Sequence, residues 1–354
     1  MPNDRGYMNT SEYVSIGHPD AVADYIVSFL LDRYIERDQK VRFALEAQVK
    51  DDHVCLGGEV TSSAEFTDAE IRKHVRDAVR DIGYTEEYAD SWGRENCIDP
   101  SALDIDIHIG RQSPDIAQGV NVGGWGDQGI MWGMATGDES TDFMPMDHHL
   151  AKRIGTELYN AALDGAFDIG IDIKTQVTCE FGRPVEVIVA APMRGGPDEI
   201  DWMQKMVAAK VNEVIGRNDV PTVVNGTGAF VRHASRGDCG TTGRKLAVDF
   251  YGGGCRIGGG CPWGKDPSKA DVSLNVYARK IALKAKRESG EETVYAQLSC
   301  CIGRKEIGVS VFNGRLEQIG GWTERRPAPE IIAELGLYAP VYAFKKRNGL
   351  FVRP

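Results

Sequence analysis

Six of the nine positions from 252 to 260 are glycine, and the next stretch, 265–271, holds Lys265, Asp266, Lys269 and Asp271. So many glycines in a row exclude a regular helix or strand there. The run is a loop whose backbone can take positive φ and close around a ligand. Lysine neutralises phosphate charge, and aspartate can hold the magnesium that travels with a polyphosphate. A polyphosphate nucleotide is therefore the guest that suits the segment. Taken alone, such a run is more often a linker, but its flanks argue otherwise. Residues 245–251 alternate like a strand. Asp266 and Pro267 predict a helix start, with Asp266 as N-cap and Pro267 in the first position. Strand, glycine loop and helix N-terminus together make an anion-binding arrangement. Gly259 through Lys265 also satisfies the P-loop pattern G-x-x-x-x-G-K, but Asp266 stands where that motif needs a hydroxyl. A true P-loop is set aside on that ground.

The formal net charge of −11 makes a general nucleic-acid binder a poor reading. It also makes any phosphate site a local basic cluster in an acidic chain. No apolar run approaches the roughly 18–20 residues that cross a bilayer, and the N-terminus lacks the layout of a signal peptide. The cysteines (Cys55, Cys97, Cys179, Cys239, Cys255, Cys261, Cys300 and Cys301) form no metal-ligand spacing, so reduced thiols in a cytoplasmic protein are expected. Neither a nucleic acid nor a membrane is expected as partner.

Periodicity predicts an amphipathic helix over 20–37, a hairpin of strands 41–49 and 53–61, and a helix over 67–82 opened by the capping box Thr67 and Glu70. A strand over 103–110 and a glycine-rich loop over 118–129 follow. Next come a helix over 147–164, a hairpin of 174–181 with 185–191, and a helix over 199–216. Further on the pattern gives strands 246–251, 293–302 and 307–312, a helix from 268 to 286, and a tail of helix and loop after Gly320. Hairpin plus helix recurs, which predicts an α+β fold of three similar units, each a sheet covered by helices on one face. The expected divisions are 1–115, 116–231 and 232–354.

Four more segments carry chemistry. Gly17-His18-Pro19-Asp20 sits at a helix start, where an ordinary cap is the simpler reading. Gly58-Glu59 follows a strand, where an edge glutamate on solvent is the simpler reading. Gln112-Ser113-Pro114-Asp115-Ile116 and Gly126-Asp127-Gln128-Gly129 are polar loops able to close over a site. Gly237-Asp238-Cys239-Gly240-Thr241-Thr242-Gly243-Arg244-Lys245 brings a basic pair that suits phosphate oxygens. Singly each is weak. In this order, with the run 258–271, they resemble the S-adenosylmethionine synthetase (methionine adenosyltransferase) family from about Ser11 to Gly303.

The resemblance implies three α+β domains around a pseudo-threefold axis, in a dimer or tetramer whose sites draw on two subunits. It implies synthesis of S-adenosylmethionine from ATP and L-methionine. The sulfur attacks ribose C5′, and the expelled tripolyphosphate is then hydrolysed to pyrophosphate and phosphate. Carried onto this sequence, His18 sits at the phosphate bridge near C5′, and Lys174, Arg244, Lys245 and Lys265 surround the triphosphate. Asp20 and Asp271 serve two Mg2+ ions, and Glu46 a K+ ion. Glu59, Gln112, Asp238 and Lys269 hold the methionine head group, with Asp238 also on the nucleotide side. Phe230 and Ile302 line the adenine and sulfur region, and Asp127 meets the adenosine. Such chemistry needs preorganised positive charge and alignment, not a nucleophilic side chain.

The chain also departs from the family. Ala21 stands where a lysine normally follows Gly-His-Pro-Asp. The gate between Gln112 and Asp127 is about five residues short, with Trp125 as a possible bulky lid. Pro262-Trp263 replaces a phenylalanine, 232–236 lacks the usual turn, and the match fades after Gly320. A degenerate relative that binds ATP or S-adenosylmethionine and regulates a partner without turnover is the rival reading; Ala21 and the short gate argue for it, and retention of the phosphate and metal residues weighs against it.

Overall fold

The computed structural model describes residues 8–111 and 124–353. In chain order the elements are β1 (Met8–Val14), α1 (Pro19–Arg37), β2 (Arg42–Lys50), β3 (His53–Thr61), α2 (Asp68–Ile82), α3 (Glu86–Trp92), β4 (Asp104–Gly110), β5 (Gly129–Thr136) and α4 (Met146–Leu163). There follow β6 (Lys174–Glu180), β7 (Arg183–Ala190), α5 (Pro197–Ile215), β8 (Thr222–Val224), β9 (Gly240–Thr241), α6 (Ala270–Ser289), β10 (Thr293–Cys300), β11 (Ile307–Asn313), β12 (Gln318–Glu324), α7 (Ala328–Glu334) and α8 (Tyr342–Asn348).

The strands form three four-stranded sheets, ordered β9-β2-β3-β4, β1-β6-β7-β8 and β5-β10-β11-β12. This is the α+β fold in three similar units that the sequence predicts. The sheets do not follow contiguous stretches of chain. Strand β1 joins the sheet of the middle stretch, β5 that of the C-terminal stretch, and β9 that of the N-terminal stretch. Each third thus lends its first strand to the next, in a closed cycle. Threefold likeness absent from the residues is present in the topology.

Helix α1 packs against β2, α2, β9 and α8. Its periodicity reads as amphipathic, yet 15 of its 19 residues are buried. Three of these are carboxylates, and each has partners. Asp20 accepts from Thr241 N (2.9 Å) and Lys245 Nζ (2.6 Å). Asp24 accepts from Gly243 N (2.8 Å). Asp32 accepts from Tyr342 N and Ala343 N at the start of α8, where a negative charge meets the positive end of a helix.

Two local expectations are corrected around the glycine run. Residues 246–251 are not a strand: Leu246–Asp249 is a helical turn, with Asp249 N and Phe250 N bonded back to the carbonyls of Lys245 and Leu246. The chain leads into a 3-10 turn at Gly252–Gly254. Phe250 and Tyr251 are both buried, so alternation in sequence does not become alternation in space. Nor does Asp266 cap a helix. Its carboxylate accepts from Phe43 N and Ser268 N, both 2.9 Å, and α6 starts only at Ala270. Without a leading strand, and with Asp266 spent on β2, the segment is not a P-loop.

Candidate active site

Strand β2 positions the site. Its edge facing away from β3 is covered twice. Near one end Gly240–Thr241 pairs with Gln48 and Val49. Near the other, Lys265 bridges Ala44, and Leu45 N donates to Gly264 O at 2.9 Å. Close approach there requires glycine: Gly264 has φ +67°, and a Cβ would overlap the Leu45 carbonyl oxygen. The two segments laid on this edge deliver Arg244 and Lys245 at one end and Lys265 at the other. At about 3.3 Å per residue the attachment points lie roughly 13 Å apart.

The first cluster gathers His18, Asp20, Lys174, Asp238, Arg244 and Lys245. Asp20 is bound by Lys245, with Arg244 Nε 3.4 Å away. Burial alone would raise its carboxyl; the Lys245 ammonium and the Thr241 N–H outweigh that and hold it below its usual range. His18 is the N-cap of α1, and its Nδ1 accepts from Asp20 N at 3.2 Å. Burial, then the Lys245 charge, push the imidazole down to about 4, with Lys174 and Asp238 also within electrostatic reach. The ring is therefore neutral near pH 7, and with Nδ1 accepting, its proton sits on Nε2. Lys174 opens β6 and pairs with Glu12 Oε2 at 2.6 Å.

The second cluster gathers Lys265, Lys269, Asp271, Asp127 and Ile302. Lys265 Nζ meets Asp271 Oδ2 at 2.6 Å, and Lys269 lies 4.0 Å from Asp266. Cys300 ties Asp127 to the group: its thiol donates to the Asp127 carbonyl at 3.5 Å, and it feels both Asp127 and Asp271. Ile302 bridges Trp125 and is exposed. Glu46 and Glu59 point to the open face of the same sheet, Glu46 opposite Gly57 and Glu59 opposite Ala44. Phe230 is partly exposed in the segment after β8. Gln112 and most of the gate lie outside the described residues. Trp125 is no lid: it is fully buried, and the hydrogen bonds Trp125 N to Arg304 O and Gly303 N to Trp125 O fix it in the wall.

Sequence reasoning missed Asp172 and Glu12. Asp172 accepts from Ala234 N at 2.8 Å, and burial pushes its carboxyl up to about 7. Strand parity with Lys174, two residues on, was the available signal. Glu12 lies on β1, which has no alternation to read.

No group of three or more His, Cys, Asp or Glu side chains able to cage a metal occurs among the described residues. Asp20 and Asp271 still fit magnesium in one mode. Each offers hard carboxylate oxygens beside a lysine, Lys245 and Lys265 respectively, and magnesium is commonly held by one or two carboxylates with substrate phosphates and water.

Three family models match in sequence order. The S-adenosylmethionine synthetase N-terminal domain covers residues 6–114, the central domain 122–230 and the C-terminal domain 233–353. The chain belongs to the S-adenosylmethionine synthetase family. Among curated relatives, the S-adenosylmethionine synthase of Zymomonas mobilis is 36% identical over 85% of this chain and 79% of its own length. That of Mycolicibacterium gilvum is 34% identical over 97% and 93%. A solved structure described as an unusual S-adenosylmethionine synthetase from Campylobacter jejuni superposes with a TM-score of 0.79 at 30% identity, covering 95% of this chain and 88% of that one. This family member is thus an enzyme of modest identity to its relatives. No helix among the described residues is long and apolar enough to cross a membrane.

Proposed function

We propose that the enzyme makes S-adenosylmethionine from ATP and L-methionine by attack of the methionine sulfur on ribose C5′ with loss of tripolyphosphate, which it then hydrolyses to pyrophosphate and phosphate. The observation that carries this reading is the pair of cation–carboxylate clusters on one edge of β2. The leaving group is a polyanion, so catalysis rests on fixed positive charge where negative charge grows. Lys174, Arg244, Lys245 and Lys265 supply it. His18 Nε2–H donates to the phosphate oxygen nearest C5′. Neither Cys300 nor Cys261 is an activated nucleophile: burial pushes the Cys300 thiol up to about 12 and the Cys261 thiol higher still.

Asp20 and Asp271 would hold two Mg2+ ions, which when bound supply charge neutralisation on the phosphates. Glu46 would hold K+. Glu59, Gln112, Asp238 and Lys269 would orient the methionine head group, with Phe230, Ile302 and Asp127 on the adenosine and sulfur side. As the family resemblance implies, the enzyme would work as a dimer or tetramer in which one subunit's first cluster faces another's second. The free state of all eight cysteines suits a cytoplasmic location. The test is to incubate the protein with ATP, methionine, magnesium and potassium and separate the products. S-adenosylmethionine formed in step with pyrophosphate and phosphate is expected; ADP with phosphate and no S-adenosylmethionine would refute the reading.

A further inference from the structure

The C-terminal helix reaches back to the site. Lys346 on α8 is buried, its Nζ 2.8 Å from Asp24 Oδ2 and 2.8 Å from Asp249 Oδ1, and 4.8 Å from the centroid of the Trp263 ring. Both carboxylates lead to a phosphate-binding loop. Asp24 Oδ1 takes the N–H of Gly243 at 2.8 Å, directly before Arg244 and Lys245. Asp249 Oδ2 takes the indole N–H of Trp263 at 2.8 Å, directly before Gly264 and Lys265. One ammonium thus underpins both segments laid on the β2 edge. Two carboxylates around it keep Lys346 charged against the cost of burial, raising it above its usual value. Asp24, sharing that ammonium with Asp249, is pushed up by burial to about 7.

The departure at position 21 lies next to this arrangement. Ala21 is buried, and with Lys346, Asp249, Phe250 and Phe351 it lines a cavity of about 410 Å³. Residues three apart on a helix are neighbours, so a lysine at 21 would lie beside Asp24 with its stem in that cavity.

We propose that Lys346 is a positioning residue for the polyphosphate site, supplying from the C-terminal helix the charge that a lysine at position 21 provides in the resembled family. Lys346 touches no substrate; it holds Asp24 and Asp249, and through them the loops bearing Arg244, Lys245 and Lys265. The inference rests on reading those loops as the polyphosphate site.

The test compares the native chain with Lys346→Met, Ala21→Lys and the double variant Ala21→Lys/Lys346→Met. Turnover, methionine KM and tripolyphosphate affinity are measured below the melting temperature of each. Lys346→Met should lower kcat roughly 10- to 100-fold, as small misplacements in a preorganised site do. It should weaken tripolyphosphate binding and leave the methionine KM little changed. The double variant should regain most of both losses. A folded Lys346→Met with native kcat and tripolyphosphate affinity overturns the proposal. So does a double variant that regains melting temperature but not turnover, which would mark a structural role alone. Should Lys346→Met fail to fold, a folded and active double variant still supports the charge relocation, and a double variant that also fails to fold refutes it. Absence of S-adenosylmethionine from the native chain would instead refute the functional reading beneath it.

Discussion

Replacing Gly264 by alanine should separate stability from glycine content. At φ +67° an alanine pays the left-handed penalty of about 1–2 kcal/mol. Its Cβ would overlap the Leu45 carbonyl oxygen and approach Val27 Cγ2 to 2.8 Å, an overpacking that costs about 1–3 kcal/mol. Relief by shifting the loop would break the Leu45 N to Gly264 O bond, worth about 1 kcal/mol. The loss is on the order of 4 kcal/mol. With a urea m-value of roughly 3 kcal/mol/M or more for a chain of this size, the unfolding midpoint should fall by about 1 M. Gly259→Ala is the control. No atom lies within 4 Å of its added Cβ, and its φ is not positive, so its midpoint should stay within about 0.2 M of native. Equal midpoints for Gly264→Ala and Gly259→Ala would refute the argument that the loop is pinned on β2.

Four further outcomes follow from the same geometry. Asp20→Asn and Asp271→Asn should each reduce magnesium-dependent turnover by orders of magnitude while leaving far-UV circular dichroism native; near-native turnover in both would sink the metal assignment. Lys265→Ala should damage kcat more than ATP affinity, because its charge matters most as the phosphate departs; collapsed ATP affinity at native kcat would contradict that role. By NMR the His18 ring should titrate near 4. Its folded value lies below the unfolded one near 6.5, so the stability it contributes is present above pH 6.5 and is lost as pH falls from there towards 4; a midpoint near 6.5 would show the ring to be solvated. Glu46→Gln should abolish stimulation by potassium and keep the magnesium requirement, which a titration of each ion checks.

Much of this architecture was legible because its signals are local. The capping box at Thr67 and Glu70 forms as read, and the hairpin of β6 and β7 turns at Phe181 and Gly182. The exchanged strands were not legible. Strand β9 has two residues, and β5 is buried on successive positions from Met131 to Ala135, so neither alternates. Asp266 carries every mark of a helix cap, and only the tertiary fold shows its carboxylate on Phe43 N. Of the proposed site, Arg244, Lys245, Lys265 and Lys269 stand out in glycine-spaced runs, whereas Lys174 is reached only through the family resemblance. That Arg244 and Lys245 share a strand edge with Lys265, and that α1 holds its carboxylates inside, are facts of packing between segments some 200 residues apart in sequence.

The central claim is that the two clusters on the β2 edge are halves of one site completed by another subunit. Mixing two inactive variants tests it most directly. Asp20→Asn and Asp271→Asn are dissociated, combined in equal amounts and reassembled, and S-adenosylmethionine formation is followed. Random pairing places half the chains in mixed dimers, each with one intact site of two, so the mixture should recover about a quarter of native activity. Activity no greater than that of the two variants assayed apart, with mixed dimers present, would contradict the claim.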